Sequence, residues 1–281
     1  MPIIKDKQAA PAPVLKWAGG KRQLLGILAP LLPGRVDAYC EPFVGGGALF
    51  FHLQPKTAYI NDINYELIRV YEVVKNDVEA LISALKEYKN DPAYFYSVRD
   101  LDRDKPKYSA LSDVEKAARI IYLNKTCYNG LFRVNSAGEF NSPFGDYRNP
   151  NIVNEPTLRA VSSYLNAASV RFTSIDYAEV LHALPEGAFA YLDPPYDPVS
   201  DTSSFTGYAK GGFSRCEQIR LRECCDELHG RGIKFMLSNS ATAFIKEQYA
   251  AYNVTIVQAK RAVNSDAAKR GEIDELVVRN Y

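Results

Sequence analysis

At 281 residues, 47% hydrophobic and 24% charged, the chain has the composition of an ordinary globular protein with core enough for one large or two modest domains. Lys and Arg number 34 against 33 Asp and Glu, a net charge of +1, so an anionic partner has to be met by a local patch. No apolar run approaches the ~20 residues of a membrane span, and "MPIIKDKQAAPAP" reads as a flexible lead-in without the apolar core of a signal peptide.

In chain order, strand-like runs fall at 36–43, 57–62, 170–176, 187–193, 233–240, 254–259 and 273–281. Helical patterns alternate with most of them, as in "RCEQIRLRECCDELHGRG", where Leu221, Cys225 and Leu228 share one face. Such alternation predicts an α/β fold, a mainly parallel sheet covered on both sides. A polar loop without a helix joins the last two runs, which predicts an antiparallel pair at the end of the sheet. Between Asp62 and Val170 the alternation lapses. The segments 64–89 and 112–130 carry apolar residues at helical spacing, with Ser112 as N-cap and Glu115 completing a capping box. Residues 131–147 follow as two short runs about a Ser-Ala-Gly turn, a hairpin pattern. The expected organisation is one domain from 1–65 and 154–281, interrupted by a largely helical domain at 66–153.

Five cysteines and three histidines (His52, His182, His229) show no metal-ligand or redox spacing, so no metal site and a reducing intracellular compartment are expected. Three other stretches carry chemistry. In "YLDPPYDP" two prolines end a buried strand and leave Asp193 at its carboxyl end, where open α/β sheets bind ligands. In "CEPFVGGGALFFHL" Gly45 to Gly47 allow a sharp turn and close backbone approach to a ligand. The spacing is not the dinucleotide G-x-G-x-x-G, which favours a nucleoside with a small tail over a pyrophosphate. Asp62 ends the second strand, where a carboxylate can accept both ribose hydroxyls or cap the next helix. In "VLKWAGGKRQLL" the glycines bare backbone amides for a carboxylate, Lys21 adds a cation and Trp17 an apolar wall. This fits the amino-acid end of S-adenosylmethionine, and the P-loop pattern is missing.

Taken in order, "LKWAGGK", "EPFVGGG", "NDIN", "CYNGLFRVN…GEFNSPFG", "LDPPY" and "FTGYAKGGFS" resemble the adenine-specific DNA methyltransferases of the Dam family, in their α block order. The resemblance spans nearly the whole chain from Leu15. It implies a class I S-adenosylmethionine-dependent methyltransferase fold, a seven-stranded sheet in which 66–153 is an inserted target-recognition domain. It also implies a cofactor site of Trp17, Lys21, Asp62 and Asp193 floored by Phe43, Gly45 and Gly47, with Asp176 near the cofactor's adenine. Lys16 and Arg133 fall where the family places base-reading residues, and Tyr128, Asn129, Leu131 and Pro143 share the recognition hairpin. Arg133 matches a guanine reader, since a guanidinium forks onto guanine's two major-groove acceptors. One departure stands out: Asp146 follows "PFG", where some Dam enzymes carry an Arg that would contact DNA.

The implied chemistry is methyl transfer to the 6-amino group of adenine in duplex DNA, with GATC as the expected site and the base flipped out of the stack. Asp193 and the Pro194 carbonyl would hold the two amino hydrogens, and Tyr196 would give the base a stacking face. The glycine- and serine-rich segment 198–215 reads as a closing loop with Phe205 and Tyr208 as walls. The basic loop 259–272 (Lys260, Arg261, Lys269, Arg270) is either a solvated hairpin or a phosphate-contacting arm. The expected partner is double-stranded DNA, with no membrane and no obligate protein partner, in a cytoplasmic enzyme of bacterial, archaeal or phage origin. It works alone or beside a companion restriction endonuclease. Rivals are an amino-methyltransferase acting on RNA or a protein glutamine, a catalytically silent DNA-binding protein, and a nicotinamide-dependent oxidoreductase. Asp193 and the hairpin with Arg133 disfavour the first, Asp193, Tyr196 and the three glycines the second, and the absent phosphate fingerprint the third.

Overall fold

A computed structural model of the chain describes residues 9–17, 19, 21–198, 213–260 and 272–281. In chain order the elements run α1 (Leu25–Leu28), β1 (Ala38–Glu41), α2 (Ala48–Leu53), β2 (Thr57–Asn61), α3 (Tyr65–Asn76), α4 (Val78–Lys86), α5 (Pro92–Arg99) and α6 (Lys105–Ala110). Then follow α7 (Asp113–Thr126), α8 (Glu155–Ala167), β3 (Ser169–Thr173), α9 (Tyr177–His182), β4 (Ala188–Leu192), α10 (Arg215–Gly230), β5 (Lys234–Ser240), α11 (Ala243–Gln248), β6 (Asn253–Lys260) and β7 (Glu272–Arg279). Two compact units emerge: one of Met1–Ala18, Gly46–Gln54 and Arg69–Ser169, the other of Gly19–Gly45, Pro55–Ile68 and Val170–Tyr281.

The second unit holds the sheet, with strand order β3-β2-β1-β4-β5-β7-β6. β1 pairs in parallel with β2 and β4, and β4 with β5. The last two strands are antiparallel, as the polar sequence between them predicts, and β7 lies between β5 and β6, with β6 at the edge. From β1 the chain proceeds to β2 on one side, whereas β4 leads to β5 on the other, so β1 and β4 flank the switch point of the sheet. The crevice beyond their carboxyl ends is where such sheets bind ligands. β4 is buried at every position because it is apolar throughout and covered on both faces. Leu181 of α9, Leu221 and Leu228 of α10 and Ile245 of α11 pack with Cys40, Ala190 and Phe235 of the strands in one core.

The first unit is mainly helical. The apolar periodicity of 64–89 is divided at Asp77, whose backbone leaves the helical region (φ −136°) between α3 and α4. Ser112 and Glu115 form the reciprocal capping box at the start of α7. Segment 131–147 turns back on itself as a hairpin held by the isolated bridges Cys127–Phe144 and Val134–Phe140, with no continuous strand. Its anchor is polar. Asp102 Oδ2 accepts the Phe140 N–H at 2.8 Å and lies 2.8 Å from Arg119 Nη2, both side chains being buried.

Phe205 and Tyr208, and Arg261, Lys269 and Arg270, lie outside the described residues; Lys260 ends β6. No helix among the described residues is long and apolar enough to cross a membrane.

Candidate active site

In the second unit Asp193 is the first residue beyond β4, and Pro194 and Pro195 follow without N–H groups to compete for acceptors. Lys21, only 6% exposed, places its Nζ 2.9 Å from Asp193 Oδ1. The same ammonium donates to the Gly19 carbonyl at 2.8 Å and stands 4.6 Å from the centroid of the Tyr196 ring. A buried cation needs such partners, and here it has an ion pair, a carbonyl and a π-face. The Tyr196 hydroxyl donates to Glu275 Oε2 at 2.8 Å. Enclosure of Asp193 pushes its pKa up to about 6, with Lys21 pulling down and Glu275 adding to the rise. Burial, with Asp193 and Glu275 close by, also holds the Tyr196 phenol well above its ordinary range.

A buried polar network fixes the turn from below. Gln218 of α10 donates to the Pro195 carbonyl at 2.8 Å and accepts from Asn239 Nδ2 at 3.0 Å. Asn239 Oδ1 accepts the Asp197 N–H at 3.1 Å. Asp197 is itself held by Thr242 Oγ1 at 2.8 Å and Arg215 Nε at 3.1 Å through its carboxylate, and by Ser240 Oγ at 2.7 Å through its carbonyl. A buried network satisfied in this way restricts the backbone to one arrangement. Sequence reading singled out none of Gln218, Asn239, Asp197 or Glu275. The available signal was "SNS" closing an otherwise apolar strand.

The glycine turn is held by Asp62. Its Oδ2 accepts the Gly45 N–H at 3.0 Å and its Oδ1 the Asn64 N–H at 2.9 Å, while Gly45 takes a φ of 47° that favours glycine. Asn64, not Asp62, caps α3 by accepting the Glu66 N–H at 3.1 Å. Burial pushes the Asp62 carboxyl up to about 6 against these two N–H groups. Each carboxylate oxygen carries further acceptor capacity, so two hydroxyls of a ribose can be received there. Phe43 packs on Tyr177 and Phe213, with centroids 5.1 and 5.8 Å away. Asp176 is differently placed. Arg220 grips both its oxygens at 2.9 and 2.7 Å and holds its carboxyl below the usual range, so any ligand atom there shares the carboxylate with a guanidinium.

The remaining candidates lie in the first unit. Trp17 stacks on Phe132, with centroids 5.2 Å apart. A Cβ at Gly46 would come within 3.3 Å of Trp17 Cβ, and Gly47 takes a φ of +65° against Phe51, so a side chain at either would crowd the turn. Asn124 of α7 brackets Lys16, accepting its N–H and donating to its carbonyl, both at 2.8 Å. Gly130 is a glycine of necessity, because a Cβ there would fall 2.5 Å from Lys16 Cδ. The Lys16 ammonium stands 5.2 Å from the Tyr147 ring centroid, beside Asp146 in sequence. Arg133 is oriented by Asn141, which accepts from Nε at 2.7 Å and, through its carbonyl, from Nη2 at 3.1 Å. Tyr128 and Asn129 are exposed, Asn129 with a positive φ of 56°. Leu131 is half-buried, and the exposed Pro143 accepts the Tyr128 N–H through its carbonyl at 2.8 Å. The structure thus groups Lys21, Asp193 and Tyr196; Gly45 and Asp62; Trp17 and Gly46; and Lys16 with Gly130 and Tyr147, while Asp176 stands with Arg220.

The D12 class N6 adenine-specific DNA methyltransferase family matches residues 17–263. The type II methyltransferase M1.LlaDCHI of Lactococcus lactis subsp. cremoris is 41% identical over 283 residues, covering 100% of this chain and 99% of its own. The type II methyltransferase M.MjaIII of Methanocaldococcus jannaschii is 43% identical, covering 96% and 99%. The DNA adenine methylase of Escherichia coli K12 is 32% identical, covering 94% and 93%. The seven-stranded, mainly parallel sheet agrees with the class I methyltransferase fold. A family match across most of the chain, with full-length relatives, makes it a member of the D12 class of N6 adenine-specific DNA methyltransferases.

Proposed function

We propose that the enzyme methylates adenine within GATC in duplex DNA, with Asp193 and Pro194 holding the 6-amino group of a flipped base. The observation that carries this is Asp193 at the end of β4, ahead of two prolines and paired with Lys21. The amino group is a poor nucleophile because its lone pair is conjugated into the ring. Asp193 Oδ2 and the Pro194 carbonyl accept hydrogen bonds from its two N–H groups and turn the lone pair outward, while Lys21 on Oδ1 favours the ionised carboxylate. The single proton that the methylated amine sheds passes to Asp193 or to solvent. The two prolines and the network below them preorganise both acceptors, so little reorganisation remains at the moment of transfer. Tyr196 supplies an aromatic contact for a base that leaves the helix.

S-adenosylmethionine is the methyl donor the family implies, and it supplies an electrophilic methyl on a sulfonium. The residues suit it: an acid with spare acceptor capacity at Asp62, holding the Gly45 turn, and an aromatic face at Phe43. Asp62 would hold the ribose, Gly45 and Phe43 the floor and Lys21 the amino-acid end, with Asp193 adjoining. The family's motif pattern alone assigns Gly47 to the floor and Trp17 to the amino-acid end. Asp176 would reach the adenine only while shared with Arg220.

Residues 66–153 act in this reading as the target-recognition domain. Arg133, with Nε and one Nη2 proton committed to Asn141, aims its guanidinium as a fork for guanine, and Lys16 adds a second reader. Tyr128, Asn129, Leu131 and Pro143 line the same hairpin. The enzyme acts in this reading in the cytoplasm, either alone or beside a companion restriction endonuclease, the latter in keeping with two relatives named as type II methyltransferases. The test is methylation of unmethylated plasmid with S-adenosylmethionine, read base by base, with Asp193→Ala as the blank. Methyl groups on adenine in GATC, absent from the blank, are expected. Methylated adenine in another sequence would overturn the assignment of Arg133, and an active blank the assignment of Asp193.

A further inference from the structure

Glu275 belongs to none of the motifs above, yet the Tyr196 hydroxyl rests on it. It lies on β7 opposite Ser240 of β5 and Val257 of β6, so its backbone is fixed by strands on both sides. The two prolines before Tyr196 restrict the backbone leading to it, and side-chain contacts help set its ring direction within its rotamers. They include the hydroxyl on Glu275 at 2.8 Å, the Lys21 ammonium 4.6 Å from the ring centroid, and a hydrogen bond with the Asp193 side chain. Lys21 also pairs with Asp193 at 2.9 Å. Lys21 and Glu275 thus hold the ring by its face and its hydroxyl, and Lys21 ties that arrangement to the acceptor.

The acid is chemically informative. A second carboxylate near Asp193 works against ionisation of the acceptor. A neutral side chain could accept one phenolic proton without that penalty. What a carboxylate adds is a charge-assisted hydrogen bond, roughly twice as strong as a neutral one. We propose that Glu275 is a positioning residue for methyl transfer, fixing the Tyr196 ring through its hydroxyl so that ring and Asp193 acceptor keep one mutual geometry. The inference rests on the assignment of Asp193 and Tyr196 to the reacting adenine.

The experiment compares steady-state methylation of a duplex that the wild-type enzyme methylates, using Glu275→Ala, Glu275→Gln, Tyr196→Phe and the Tyr196→Phe/Glu275→Ala double variant. Loss of one charge-assisted hydrogen bond predicts a kcat about tenfold lower for Glu275→Ala, with KM for DNA and for S-adenosylmethionine nearly unchanged. Glu275→Gln keeps an acceptor and recovers most of the rate. The double variant is no slower than the slower single, because both changes remove the same contact. A wild-type kcat in Glu275→Ala, or losses that multiply in the double variant, would overturn the inference. Should Glu275→Ala fail to fold by melting temperature, Tyr196→Phe carries the test, and a wild-type kcat there overturns it equally. Asp193→Ala and Tyr196→Ala separate the two levels. If these remain active the site assignment itself falls; if they are inactive while Glu275→Ala is normal, only the role of Glu275 falls.

Discussion

The carboxyl end of β4 and the 131–147 hairpin are built in opposite ways. Beyond β4 nearly every polar group has several partners: Asn239 alone joins Gln218, the Asp197 N–H and the Ser240 N–H. The hairpin has two isolated bridges, a buried anchor at Asp102 and local bonds such as Arg133 to Asn141, and it follows an exposed turn at Tyr128 and Asn129. A transferring site must hold reacting groups to a fraction of an ångström, which a satisfied buried network achieves. In the proposed function the hairpin is a reading surface, which must present side chains outward, so its order comes from local contacts within the segment.

The contrast can be broken at its weakest member first. Asp102→Ala leaves Arg119 as a buried charge without its carboxylate and frees the Phe140 N–H. Breaking a buried pair in this way costs about 3–5 kcal/mol, and thermal or urea unfolding should show it. A loss under 1 kcal/mol would mean the hairpin is not anchored there. Asn239→Ala tests the other side. It leaves Gln218 and the Asp197 N–H short of partners, and the expected result is a stability loss of about 1–3 kcal/mol together with a fall in kcat. A stable variant with full kcat would show that the turn is rigid without its network.

The smallest effect is a displacement along the pH axis. In the proposed mechanism Asp193 accepts hydrogen bonds as the carboxylate, so kcat/KM should fall as pH drops through about 6, where burial has moved its pKa. Lys21 holds that value down, so Lys21→Met should shift the acid limb to higher pH. Asp62 titrates in the same region, and Asp62→Asn should leave the limb in place if Asp193 governs it. A limb that disappears in Asp62→Asn would reassign it to Asp62.

Features with local causes were legible in the sequence. The all-apolar run of β4, the prolines that end it and the Ser112–Glu115 capping box are written in adjacent residues, and each stands as read. The antiparallel pairing of β6 and β7 followed from their short connection, but not which strand lies inside. Partners brought together only by tertiary packing were invisible: Lys21 with Asp193, Glu275 with Tyr196, Asp102 with Arg119, Asn124 with Lys16. Nothing in "IDELVVRNY" distinguishes Glu275 from an ordinary solvated strand acid. Gly130 was visible as a glycine, yet its reason, the passage of the Lys16 side chain, appears only in three dimensions.

The separation of transfer from reading is tested most directly by kcat/KM on two duplexes, one with GATC and one with its guanine replaced, for wild type, Asp193→Ala and Arg133→Ala. Asp193→Ala should lose at least about 10²-fold on both, the order of loss when a preorganised polar group is removed from an active site. Arg133→Ala should lose on GATC the ~1–3 kcal/mol that a bidentate base contact contributes to discrimination, and little on the altered duplex, so that its preference collapses. Equal losses on both duplexes in Arg133→Ala would contradict the account and make the hairpin part of the transfer machinery.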